Sequence, residues 1–185
     1  MDYQAFFNQL HPGFFRKAYI RSLPEDAVYR EMLLDLRTLD VPMAPVAAPP
    51  DVSFRVWDGP RALLLDAVAA VDSTWLQWFR EPGRVFCAVR DREPVSFCML
   101  GAMGSYEGLR IGGPGCVGTV PRARRQGIGL RMVQLGTEIL KQEGFDYSYI
   151  HYTGVAPWYA RLGYRTVLTW NARGFLGDDP ASQTL

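Results

Sequence analysis

Between Cys116 and Gly144 the chain runs from a short extended apolar stretch, through a turn rich in glycine and arginine, into a helix. Ile128, Met132, Leu135 and Ile139 recur at helical spacing and Gly144 stops the helix. On either side the pattern alternates between strand-length and helix-length segments, which is the signature of an α/β fold. The chain has 185 residues, with 48% hydrophobic and 21% charged, enough for one domain with a sizeable core.

Segments suggested by the pattern fill out this frame. Residues 1–40 read as an N-terminal helical extension. Ser22-Leu23-Pro24-Glu25 resembles a capping box, and Val28, Met32, Leu36 and Leu39 fall on one helical face behind it. Residues 41–51 hold four of the 13 prolines and read as a linker or extended strap. A main domain is expected over 52–173. It begins with a strand at 52–57 and a helix to Val71, and Asp72-Ser73-Thr74 then caps a short helix. The pair Val85–Val89 and Val95–Leu100 forms a hairpin, followed by strands at Cys116–Val120, Tyr147–Tyr152 and Tyr164–Trp170. A short helix at Pro157–Leu162 precedes the last strand, and 174–185 read as a loose tail.

Charge and cysteine usage exclude several function classes. Lys plus Arg (20) nearly cancels Asp plus Glu (19), so no nucleic-acid or anionic-membrane partner is expected. No apolar run approaches the length of a spanning helix. Met1-Asp2-Tyr3-Gln4 lacks the pattern of a secretory signal. Cys87, Cys98 and Cys116 form no CxxC, and with His11 and His151 they give no zinc-site spacing, so no metal is expected. An odd count of free cysteines makes a reducing cytoplasm the default location. Each cysteine reads as a small buried hydrophobe. Trp75, Trp78 and Phe79 read first as core, with an acceptor wall or the contact of a homodimer as alternatives.

The chemistry concentrates in Arg122 to Gly129. Glycines let backbone approach a ligand closely, and the N–H groups opening a helix suit a pyrophosphate. Arg122, Arg124, Arg125 and Arg131 add local cationic charge in an otherwise neutral chain. The alternative is a solvated basic loop. Gly113-Pro114-Gly115-Cys116-Val117-Gly118 also spells the dinucleotide fingerprint. That fingerprint must open a helix, and Thr119-Val120-Pro121 follows it instead, so the match reads as coincidence.

Arg124-Arg125-Gln126-Gly127-Ile128-Gly129, preceded by Gly118-Thr119-Val120-Pro121, resembles the [Gln/Arg]-x-x-Gly-x-[Gly/Ala] signature of the GNAT superfamily of N-acetyltransferases. Trp158-Tyr159-Ala160-Arg161-Leu162-Gly163-Tyr164 is similar to that family's second, C-terminal block. One position departs, because Tyr152-Thr153-Gly154 stands where the family often has an asparagine. The resemblance covers about Val52 to Trp170. It implies a mixed, splayed sheet flanked by helices and acetyl-CoA as co-substrate. The pyrophosphate would rest on backbone N–H groups from Arg124, Arg125, Gln126, Gly127, Ile128 and Gly129. The pantetheine arm would pair along Gly118, Thr119 and Val120, and a backbone N–H near Val120 would hold the thioester oxygen. Tyr159 would protonate the leaving thiolate. The base is open among His151, Glu107, Asp72 and water; His151 is favoured for its near-neutral titration. The implied function is acetyl transfer to a primary amine of a small molecule, with a catalytically silent CoA-binding sensor as the alternative.

Overall fold

A computed structural model describes residues 1–81 and 83–177. The N-terminal part contains α1 (Tyr3–Leu10), a 3-10 turn (Phe14–Arg16), α2 (Ala18–Arg21) and β1 (Tyr29–Asp35). After a strap come β2 (Ser53–Val56), α3 (Arg61–Val71) and a second 3-10 turn (Ser73–Gln77). The meander β3 (Val85–Arg90), β4 (Glu93–Tyr106) and β5 (Leu109–Thr119) leads through a 3-10 turn (Pro121–Ala123) into α4 (Ile128–Gln142). The chain ends with β6 (Tyr147–Thr153), α5 (Ala156–Ala160), β7 (Arg165–Asn171) and β8 (Gly174–Phe175). Of the expected tail, 178–185 lie outside the described residues.

The helix expected across 22–40 does not form. Ser22 instead closes α2, its N–H reaching the Ala18 carbonyl, and residues 29–35 become a strand in the interior of the sheet. Strand order is β2-β3-β4-β5-β6-β1-β7-β8, with β1 antiparallel to both β6 and β7. Part of the supposed extension is therefore integral to the sheet. Leu33 packs with α1 on one face, whereas Met32 and Leu34 pack with α4 on the other. A strand covered on both faces shows no apolar–polar alternation, and the spacing of Met32 and Leu36 imitated a helix.

The two faces carry different helices. Leu64, Val68 and Phe79 cover Cys87, Val95 and Phe97 on one face. On the other, α4 and α5 bring Met132, Val133, Leu140 and Tyr159 against Phe86, Cys98, Leu100 and Ile150. Neighbouring residues such as Phe97 and Cys98 enter opposite cores, as the pleat requires. α1 lies on the face opposite α4, with Phe6 against Tyr149, Ile111 and Leu33. The aromatic stretch before β1 closes that side, as Phe7, Phe14 and Ile20 bury themselves against Trp170. Phe79 joins the core as expected, whereas Trp78 is 55% exposed.

The proline-rich strap runs back along α4 towards its N-terminus. Met43 N–H donates to Glu138 Oε1 (3.1 Å) and Val46 N–H to Gln134 Oε1 (2.8 Å). Gln134 Nε2 in turn donates to the Ala44 carbonyl (2.7 Å). The strap thus links the two halves of the sheet across the outer side of α4.

Candidate active site

β5 and β6 are the parallel neighbours at the middle of the sheet, and their ladder is short. It registers Ile111 with Tyr147 and Gly112 with Ser148 and ends there, although β5 continues to Thr119 and β6 to Thr153. Beyond that point β5 is itself irregular. Its register with β4 shifts between the Phe97–Gly118 and Met99–Gly115 pairs, and Cys116 within that bulge has φ of 47°. A bulge bends its strand and increases the local twist, and this one falls in the part of β5 that borders the expected cofactor groove. Nothing in the chain's pattern signals this, because Cys116 is not a residue that favours the left-handed region.

The turn between β5 and α4 presents donors. Arg125 (φ 62°) and Gly127 (φ 78°) both adopt left-handed backbone. None of the five backbone N–H groups from Arg125 to Gly129 meets an acceptor among the described residues. Alternation of this kind turns successive N–H groups into a concavity suited to an anion. The positive end of a 15-residue helix stands behind it. The strap borders the same turn: a Cβ on Gly127 would fall 2.2 Å from the Ala47 carbonyl oxygen. Arg90 Nη2 contacts both Asp51 Oδ1 (3.3 Å) and Gln126 Oε1 (3.0 Å), tying the strap's end to the turn. The local arginines are mostly engaged. Arg122 pairs with Glu93, Arg124 Nε donates to the Thr119 carbonyl and Arg131 donates to Gln134.

Other expected cofactor positions have packing roles of their own. A Cβ on Gly118 would strike the Phe97 ring at 2.5 Å, and one on Gly129 would meet Thr119 Oγ1 at 2.7 Å. The Thr119 hydroxyl is 2.9 Å from Ser96 Oγ. Ile128 and Val120 are buried in the α3-side core. The Val120 N–H donates to the Val95 carbonyl (3.0 Å), so the expected hold on a thioester oxygen is not available from that group.

Tyr159 stands at the end of α5 with its ring buried against Trp158 and Tyr164. Its hydroxyl has no hydrogen-bond partner among the described residues, unlike that of Tyr164, which meets Thr137 and Ser148. Burial foremost, with Tyr164 nearby, raises the Tyr159 phenol above its usual range, so it stays protonated at neutral pH. His151 lies near the end of β6 with 21% of its side chain exposed. Its neighbour Ile150 joins the α4-side core that contains Tyr159, so His151 and Tyr159 occupy opposite faces of the sheet. No hydrogen bond joins them.

His151 Nδ1 is 2.9 Å from Glu31 Oε2. Glu31, on β1, was invisible to sequence reasoning, because its side-chain partners lie 118 to 139 residues away. The alternative bases are placed elsewhere. Asp72 caps the Ser73–Gln77 turn through Thr74, and Glu107 sits in the β4–β5 hairpin tip. Burial raises the thiols of Cys87 and Cys116 to about 12 and about 11, and raises that of Cys98 further. They therefore hold their protons, consistent with the small-hydrophobe reading. Among the described residues no cluster of three or more His, Cys, Asp or Glu could hold a metal, and no helix is long and apolar enough to cross a membrane.

An open mixed sheet parted at its parallel pair, with a donor-lined turn entering a helix beside the gap, is the GNAT fold. Residues 81–166 match the family model described as an acetyltransferase (GNAT) domain, a family whose members generally use acetyl-CoA. No curated protein sequence matches. Among solved structures, similarity extends to a GCN5-related glucosamine N-acetyltransferase region of a fungal multi-domain GH3 β-N-acetylglucosaminidase. There the TM-score is 0.64 at 19% identity, over 91% of this chain and 22% of that one. A GCN5-related N-acetyltransferase from Sphaerobacter thermophilus gives 0.55 at 16% identity over 84% and 54%. One from Kribbella flavida gives 0.53 at 20% over 85% and 62%. The chain thus spans between about a fifth and three fifths of the length of these structures.

Proposed function

We propose that the protein transfers the acetyl group of acetyl-CoA to a primary amine of a small molecule by direct attack in a ternary complex. The observation that carries this reading is the run of N–H groups from Arg125 to Gly129, without acceptors among the described residues, beside the parted β5 and β6. The turn offers an anion cradle, and the separated strand edges offer backbone pairing to an extended, amide-bearing arm, in the manner of an added strand. Arg125 to Gly129 would hold the pyrophosphate, the Arg124 N–H being engaged by the Pro121 carbonyl instead, and Gly118 to Val120 would border the arm.

The chain's own groups supply the proton transfers. The amine nitrogen forms a bond to the thioester carbonyl carbon, the C–S bond breaks, and the amine proton passes to His151 Nε2. An alkylamine is about one part in 10³ neutral at pH 7, so a base is needed. Tyr159 gives its phenolic proton to the departing thiolate. A phenol raised by burial is a weak acid for this task, and sharing of the proton suffices to lower the barrier. The two groups approach from opposite faces, which suits a gap that opens through the sheet.

The test is a thiol-release screen with acetyl-CoA over amino acids, polyamines, aminoglycosides and peptide N-termini, paired with calorimetric titration of CoA. Saturable release with at least one amine is expected. No heat from CoA with folded protein would sink the reading. Binding with no turnover across the panel would point to the sensor alternative.

A further inference from the structure

Glu31 is fully buried, at 0% exposure, and four donors surround its carboxylate. Trp170 Nε1 (2.6 Å) and the Tyr152 N–H (3.2 Å) reach Oε1, while the Tyr149 hydroxyl and His151 Nδ1 (2.9 Å) reach Oε2. Burying a carboxylate is expensive unless its lone pairs are filled, and this one is filled from both neighbouring strands. The backbone is shaped to allow it. The β1–β6 register slips at His151–Tyr152, where Tyr152 has φ of 59°, and the β1–β7 register slips beside Glu31 as well. Bulges re-aim side chains and backbone N–H groups; here they turn the Tyr152 N–H and the His151 ring towards one carboxylate.

This polarity selects a tautomer. An indole N–H and a backbone N–H can only donate, and a carboxylate can only accept. A carboxylate at Oε2 therefore calls for a proton on His151 Nδ1 and leaves Nε2 with its lone pair, free of any partner among the described residues. His11 fixes the ring plane from the other side, stacked on His151 with centroids 3.8 Å apart and planes 14° from parallel. The Phe14 edge closes on it at 5.1 Å.

We infer that Glu31 is a positioning residue: it holds His151 as the Nδ1–H tautomer, so that Nε2 presents a proton-accepting lone pair at the acceptor face of the parted strands. The inference rests on the reading of His151 as the base. The titratable groups facing His151 are Glu31 from β1, His11 from the segment after α1, and Tyr149 and Tyr152 from β6. Lys17 stands nearby, over the Phe14 ring at 5.5 Å.

The test compares the wild type with Glu31→Gln and Tyr149→Phe by long-range ¹H–¹⁵N spectroscopy of the histidines and by the pH profile of kcat/KM. In Glu31→Gln the amide oxygen stays with the Trp170 and Tyr152 N–H groups, and the amide NH₂ turns to His151. The neutral tautomer then inverts to Nε2–H, and kcat/KM falls about 10²-fold or more with KM for acetyl-CoA unchanged. Tyr149→Phe removes a bond to the same carboxylate but keeps the tautomer and the pH profile. An unaltered tautomer in Glu31→Gln overturns the inference. So does an Nε2–H tautomer in the wild type, a result that needs no variant to fold. Absence of turnover with every amine would instead count against the acetyltransferase reading, and the spectra would still decide the role of Glu31.

Discussion

At the residue scale the site divides into groups whose roles predict different measurements. Tyr159→Phe retains the ring packing against Trp158 and Tyr164 and removes only the hydroxyl. Turnover at saturating acetyl-CoA should fall by about 10²-fold or somewhat less, with stability preserved; unchanged turnover would remove Tyr159 from the chemistry. Gly127→Ala should weaken CoA binding and lower stability, because the added methyl needs left-handed backbone and the space of the Ala47 carbonyl; calorimetry and urea unfolding report the two effects. His11 predicts a pH dependence. Burial first, then electrostatic interaction with His151 and with Lys17, lower it from 6.5 to about 3. The unfolded chain therefore binds more protons than the folded one between those values, and the contribution of His11 to stability is lost as pH falls through that window. Thermal melts from pH 7 to 5 should show a declining midpoint, and His11→Phe, which keeps the stacking, should flatten the decline. The cradle residues were legible because their glycines and arginines sit together in the chain. Glu31 was not, since its role exists only once three strands have met.

Elements were legible where a local signal marked them. The helices α3 and α4 show helical spacing, and the hairpin β3–β4, although covered on both faces, is marked by its polar tip Arg90-Asp91-Arg92-Glu93. β1 escaped because both its faces are covered and because Arg30, Glu31, Met32, Leu33 and Leu34 are good helix formers. Tertiary pairing with β6 and β7 overrode that preference. The strap was recognised from its prolines, but its docking could not be, since it depends on side chains far along the chain, Gln134 and Glu138 of α4. Gln134 accepts from Val46 and Arg131 and donates to Ala44. Gln134→Leu should strand those groups at a cost of about 1–3 kcal/mol. Faster amide exchange at Val46 and a lower unfolding midpoint are the expected readouts, and an unchanged exchange rate would show that the strap is held elsewhere.

For the molecule as a whole, the decisive fact is that an N-terminal strand lies between two C-terminal ones. Removing residues 1–36 should do more than expose a surface. It leaves β6 and β7 without the strand between them and deletes Glu31 from among four donors. Such a truncation should lose the cooperative thermal transition of the intact chain, as judged by calorimetry; a sharp transition at an unchanged midpoint would show the sheet to be self-sufficient without β1.

The same placement has a consequence for biosynthesis. Tyr29 to Asp35 leave the ribosome more than a hundred residues before Tyr147 to Asn171, the segment that contains both of their pairing partners. At ordinary elongation speeds the delay is on the order of ten seconds. Throughout it, a segment with two sticky sides has no home, which marks it as the natural point of engagement for a holding chaperone.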